Sequence, residues 1–169
     1  MEKERRYWII SDTHFGHHKM VEYCGRPEDF SEKILKNMLR LIEYNDVLIH
    51  LGDICIGNDA KNHGTYLAPV YCKKWLIRGN HDRKSDNWYL NYGWDMVCDR
   101  LDITYHDKMI SFSHVPLLDV PGDINIHGHF HNNDHRRCES ELVNRMTEKH
   151  RLFCLEHHYE PKLLSNLIK

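Results

Sequence analysis

Residues 8–20 read WIISDTHFGHHKM, an apolar run that stops abruptly at an aspartate followed by three histidines. The run has the length and composition of a buried strand, yet Asp12, His14, His17 and His18 follow directly upon it. Polar side chains at a buried strand end raise the free energy of the fold unless something pairs with them. The end of this strand therefore requires a partner.

The same transition recurs along the chain. Apolar runs over 6–11 (RYWIIS), 46–51 (DVLIHL), 73–78 (KKWLIR), 109–113 (MISFS) and 124–127 (INIH) are each broken by polar or turn-forming residues and read as strands. Between the first two, residues 31–44 place Ile34, Leu35, Met38, Leu39, Leu41 and Ile42 at helical spacing, with Ser31 as N-cap. Residues 95–114, with a polar break at His106-Asp107, predict an antiparallel hairpin. Residues 151–157 predict a last strand and 162–169 a terminal helix, while 17–30 and 57–69 read as loops able to border a site. No repeat, low-complexity tract or linker divides the chain, so residues 1–169 are expected to form one α/β domain with mixed sheets.

Composition narrows the function. The 169 residues suffice for a core without disulfide or metal staples. With 23 Lys+Arg against 25 Asp+Glu, the formal charge of −2 provides no global basic field, so any anion binding is local. The very short basic run Arg136-Arg137 argues against tracking an extended nucleic acid. Six widely spaced cysteines without a CxxC pair, no signal peptide and no membrane-length apolar run indicate a cytoplasmic protein with free thiols. Fifteen histidines are more than a chain of this length ordinarily carries. His63, His106, His135, His150, His157 and His158 follow no usable spacing and are expected to face solvent.

The others follow a pattern. Asp12 and His14 follow the first strand, Gly52-Asp53 the second, Gly79-Asn80-His81-Asp82 the third, Ser113-His114 the fourth and Gly128-His129-Phe130-His131 the fifth. Ligands gather outside the carboxyl ends of strands in open α/β sheets, which brings these groups together. A two-residue extended repeat would aim Asp12 with His14 and His129 with His131. The donors are carboxylate, imidazole and amide without thiolate, a set that suits Mn, Fe, Zn or Ni, with Mn favoured, over a closed structural zinc site.

In this order the residues resemble the calcineurin-like metallophosphoesterase superfamily, over residues 12–131. The DTHFGH, CGRP and HGHFH segments look most like its compact bacterial and phage members. The resemblance implies two stacked mixed β-sheets flanked by helices, a four-layer α/β/β/α fold. It also implies one metal on Asp12, His14, Asp53 and His131, with Asp53 bridging to a second on Asn80, His114 and His129, and His81 facing the substrate. Asp82 either orients His81 or caps a helix. His17 either supports a ligand or faces the phosphate, whereas His18 and His127 read as surface residues and His50 as a satisfied core histidine. Arg26 and Arg83 are candidate substrate-binding cations or solvated loop arginines. Tyr23, Trp88, Tyr89 and Trp94 offer a stacking surface or ordinary packing.

The implied activity is a dinuclear phosphoesterase in which hydroxide attacks and His81 protonates the leaving oxygen. Two divalent ions, two aspartates and one hydroxide leave a formal charge of about +1, matched by a monoanionic phosphodiester. The partner is then a phosphate ester, small molecule or nucleotide. Monoesterase and nuclease activities on the same site are alternatives, as is a non-catalytic protein-binding scaffold. The presence of His81 and of every metal position favours an enzyme. Nothing in the sequence bears on oligomeric state.

Overall fold

The structure, a computed structural model, describes residues 4–132 and 141–169; His135, Arg136, Arg137 and Cys138 lie outside them. The apolar runs resolve into two mixed sheets flanked by helices. In the first, β1 (Tyr7–Ile10), β2 (Val47–His50), β3 (Lys73–Ile77) and β4 (Met96–Cys98) are parallel, and β9 (Lys162–Leu163) runs antiparallel along β1, in the order β4-β3-β2-β1-β9. In the second, β5 (Arg100–Tyr105) and β6 (Lys108–Ser113) form the hairpin around His106-Asp107. There β7 (Ile124–His127) and β8 (His150–Leu152) continue parallel to β6.

Burial explains the strand composition. Every residue of β2 and β7 is buried, as expected of interior strands covered on both faces. Helix α1 (Met20–Cys24) is short, whereas α2 (Phe30–Leu41) buries Phe30, Ile34 and Met38 along one stripe. The core draws on residues from Trp8 to Ile168. No helix among the described residues is long and apolar enough to cross a membrane.

Several expectations are corrected. Ser31 is not a cap: α2 begins at Phe30 after Asp29, and Ser31 is buried within its first turn. The 57–69 stretch is helical rather than loop-like, with α3 (Asp59–Asn62) capped by the Asn58 side chain and continued by a π-helical turn over His63–Leu67. The 17–30 stretch contains α1. The expected 151–157 strand ends at Leu152 and gives way to a 3-10 turn over Leu155–His157. Residues 162–163 cover the edge of β1 before the helical turn Leu164–Leu167, an exposed edge being open to unwanted pairing. His106, His157 and His158 are exposed, but His63 and His150 are buried. His127 is wholly buried, because β7 is interior.

The parallel register sets the ends of β1, β2 and β3 side by side, with Ile10 opposite His50 and His50 opposite Leu76. In the second sheet Ser113 lies opposite His127, so β6 and β7 also end together. The two sheets meet tightly there. A Cβ at Gly128 would lie 2.0 Å from Ser11 Oγ and 2.2 Å from Asp12 Oδ2, and one at Gly79 would lie 2.2 Å from Asp53 Oδ1. Only glycine leaves room for the two carboxylates.

Gly128→Ala should therefore lower unfolding stability in urea by about 1–3 kcal/mol, the usual penalty for overpacking. Gly64→Ala, whose Cβ would meet nothing within 4 Å, should be neutral or stabilising by about 0.4–1 kcal/mol. Equal midpoints for Gly128→Ala and the wild type would contradict this packing.

Candidate metal centre

The first ligand strand ends at Ile10, and the backbone beyond it is not extended. Asp12 (φ 53°), His14 (47°), Asp53 (56°), His129 (74°) and His131 (53°) all adopt left-handed conformations. The side chains thus converge through alternating left-handed residues in turns, not through the pleat of a strand as the sequence spacing predicts. Such backbone costs on the order of 1–3 kcal/mol per non-glycine residue and persists only where its surroundings enforce it. Here Asp12 N–H donates to Gly52 O (2.9 Å), His14 N–H to Asp53 O (3.0 Å) and Gly128 N–H to His114 O (3.0 Å). These bonds stitch the turn after β1 to that after β2, and the end of β6 to that of β7.

Eight side chains meet at this seam. Asp53 Oδ2 lies 3.4 Å from His114 Nε2, 3.6 Å from His14 Nε2 and 4.0 Å from His81 Nε2. Asp12 Oδ1 lies 3.7 Å from His131 Nε2. His114 Nε2 is 3.0 Å from Asn80 Oδ1 and 3.1 Å from His129 Nδ1. Asp12, His14 and His131 form one trio of convergent donor atoms and Asp12, Asp53 and His114 another. Asp12 Oδ2 accepts from Ser11 Oγ (2.6 Å) and His129 N–H (3.0 Å), which leaves its buried Oδ1 without a hydrogen bond, as is His14 Nδ1.

These observations fit a cation. Two donors each about 2.1 Å from one ion stand roughly 3–3.5 Å apart at ordinary coordination angles. The 3.4–3.7 Å carboxylate–imidazole separations lie close to that span, and an unpartnered buried carboxylate oxygen otherwise carries an uncompensated desolvation cost. Protonation shows the same attraction. Burial disfavours charge on His114 and His131, yet the neighbouring carboxylates, with the Cys24 contact at His131, raise them to about 9 and about 10. Burial opposes ionisation of Asp53 as well, but His114 and His14 hold its carboxyl well below the usual range. His14 is driven well below its ordinary value, chiefly by burial.

The remaining candidates divide. His81 is exposed; its backbone N–H donates to Asp53 Oδ1 (2.9 Å), and its ring stands edge-on 5.6 Å from that of His14. His17 is half-buried, 5.8 Å ring to ring from His14, with an unpartnered Nδ1. Arg83 is exposed and donates from Nε to Asn80 O (3.4 Å). Asp82 takes neither role read from the sequence. Its carboxylate accepts from the backbone N–H groups of Asp53 (2.7 Å), Gly79 (2.8 Å) and Ile54 (3.1 Å), tying the Asp53 turn to the Gly79 turn. His50 is a satisfied core histidine: Nδ1 accepts from Gly52 N–H (3.0 Å) and Nε2 donates to Thr13 Oγ1 (2.9 Å). Tyr89 and Trp94 are core residues, while Tyr23 is half-exposed beside His17.

Arg26 is placed differently from a substrate cation. Its guanidinium is fully enclosed and donates to Asp12 O (2.7 Å), Thr13 O (2.9 Å) and Glu156 Oε1. Glu156, whose Oε1 also lies 2.9 Å from His131 Nδ1, went unnoticed in the sequence because it stands in no motif. The one available signal is that a buried arginine requires a carboxylate.

Comparison with known proteins gives the family. An uncharacterized protein of Methanocaldococcus jannaschii is 30% identical over 138 residues, covering 76% of this chain and 71% of that protein. A protein of unknown function from Aquifex aeolicus superposes with a TM-score of 0.77 at 26% identity, covering 98% of both chains. The Pseudomonas putida nuclease MPE shares the fold at 24% identity, with a TM-score of 0.53 over 74% of this chain and 61% of that one. A family profile described as calcineurin-like phosphoesterase matches residues 5–165, nearly the whole of the chain. With that match, the chain belongs to the calcineurin-like phosphoesterase family, metal-dependent hydrolases of phosphate esters.

Proposed function

We propose that the protein is a dinuclear phosphodiesterase whose whole chain, residues 1–169, acts as one domain. The observation that carries this reading is Asp53 Oδ2, which stands 3.6 Å from His14 Nε2 and 3.4 Å from His114 Nε2, between a member of each donor group. Asp12, His14, Asp53 and His131 would hold one divalent ion, and Asp53, Asn80, His114 and His129 a second. Oxygen and nitrogen donors without thiolate admit Mn, Fe, Zn or Ni, and manganese is the ion assigned here. Bound there, the ions supply Lewis-acid stabilisation of phosphoryl oxygens and acidify water near neutrality. A cytoplasmic location belongs to the same proposal, supported by the five free cysteines among the described residues.

The chain's own contribution is positioning and proton supply. Asp82 and Gly79 set the Asp53 turn against the third strand end, and the His81 N–H to Asp53 Oδ1 bond fixes where the exposed imidazole emerges. His81 would donate a proton to the leaving oxygen, and Arg83 would face the substrate from the same loop. The diester preference is supported by charge. Arg26 is spent on Glu156 and backbone carbonyls, so the offset a dianionic monoester needs rests largely on exposed Arg83, and a monoanion is the better match.

His81→Asn should lower kcat by about 10²- to 10⁴-fold on esters with poor leaving groups, and much less on an activated aryl ester that departs without a proton. Parallel kcat measurements across leaving groups decide this; a uniform loss would assign His81 to substrate positioning instead.

The substrate class is tested by comparing an aryl phosphodiester with the matching monoester, each kcat/KM corrected for its uncatalysed rate. The diester should be favoured. A clear monoester preference would overturn the diesterase reading and leave the metal assignment standing.

A further inference from the structure

Beneath the proposed centre lies a second trio of potential ligands, Cys24, His131 and Glu156. The trio already has a cation in it. The Arg26 guanidinium lies with Nε 3.0 Å and Nη2 2.5 Å from Glu156 Oε1, and a divalent ion there would have to displace it. Arg26 and Glu156 are both within the fold, their side chains 0% and 2% exposed. A buried ion pair is retained without penalty only when its remaining hydrogen-bonding groups are satisfied. Here they are satisfied by groups of the centre: Arg26 Nη1 donates to Thr13 O (2.9 Å), Nη2 donates to Asp12 O (2.7 Å), and Glu156 Oε1 lies 2.9 Å from His131 Nδ1.

We propose that Arg26 and Glu156 are positioning residues for the first metal half-site, fixing the His131 ring with Nδ1–H toward Glu156 and the Asp12–His14 turn in its left-handed form. This deepens the dinuclear reading above and rests on it. The hydrogen-bond chemistry assigns the tautomer. A carboxylate accepts only, so the His131 nitrogen 2.9 Å from Glu156 Oε1 carries a proton, and in the neutral ring that a metal requires the lone pair is on Nε2, the atom facing Asp12 Oδ1 at 3.7 Å. Arg26 Nη2 lies 3.5 Å from the same Nδ1; both are donors converging on one carboxylate oxygen. The guanidinium simultaneously holds the carbonyls of Asp12 and Thr13, at the turn where Asp12 and His14 have φ of 53° and 47°. One planar fork thus links the turn bearing two proposed ligands to the carboxylate orienting a third. A lysine, a point charge on a flexible stem, could not span these acceptors.

The test replaces the pair by an apolar couple, because removing one partner alone would strand a buried charge. Arg26→Met/Glu156→Met should still fold, with an unfolding midpoint lowered by the carbonyls of Asp12 and Thr13 and the His131 Nδ1–H that it leaves unpartnered, and should bind Mn2+ at the tighter site about 10- to 100-fold more weakly by calorimetric titration, the usual range for losing a support behind a ligand. Glu156→Gln, which keeps an acceptor oxygen for His131 Nδ1–H but leaves the buried Arg26 charge unpaired, should lose stability while its Mn2+ affinity stays within a few-fold of wild type. In the Zn2+-loaded wild type, nitrogen chemical shifts should show His131 bound through Nε2 with Nδ1 protonated. Wild-type affinity in the double variant, or ligation through Nδ1, would overturn the positioning role alone. A wild type that binds no divalent ion would remove the dinuclear reading and this proposal together.

Discussion

Everything at the seam depends on accommodating two aspartates, Asp12 and Asp53, where the sheets exclude water. Both are at most 3% exposed, and an isolated buried carboxylate would neutralise rather than pay for its lost hydration. The surrounding imidazoles hold Asp53 in its charged form, and Asp12 receives a serine hydroxyl and a backbone N–H on one oxygen. The other Asp12 oxygen is left open toward His131. Five left-handed residues and two glycines are the structural cost of that arrangement, and a fold under no functional demand would relieve it by ordinary substitution. Strain concentrated on the proposed ligands is thus an argument for cation binding that is independent of residue identity.

The strand-end positions of these residues were legible because two physical rules coincide. Parallel strands expose their carboxyl ends on one side, and apolar runs that stop at Asp, Asn, Gly or His mark those ends. The turn geometry was not legible. Asp12-x-His14 and His129-x-His131 suggest a pleat, whereas the backbone turns left-handed at each of these four residues, a choice dictated by bonds such as Asp12 N–H to Gly52 O across forty residues of sequence. The helical character of 57–69 was hidden for a similar reason: the Asn58 cap and the burial of His63 and Leu67 favour helix where polar composition suggests loop. Arg26 and Glu156 are separated by 130 residues, so their pairing is a purely tertiary fact, and it changes the role an arginine beside a phosphate site would ordinarily be given.

That change bears on substrate choice. With Arg26 withdrawn beneath the centre, the positive charge available to a phosphate ester comes from the proposed ions, exposed Arg83 and His81 when protonated. The fold therefore commits its buried cation to the shape of the site, and in the proposed function recognition falls to the ions and to exposed groups, consistent with a net charge of −2.

The central claim is that Asp53 joins two metal ions into one centre. Electron paramagnetic resonance of the manganese-loaded protein tests it most directly, because two ions sharing a carboxylate at roughly 3.5–4 Å are magnetically coupled. The account predicts two manganese ions per chain and a coupled spectrum that collapses to the pattern of an isolated ion in Asp53→Asn. An isolated-ion spectrum in the fully loaded wild type would contradict it.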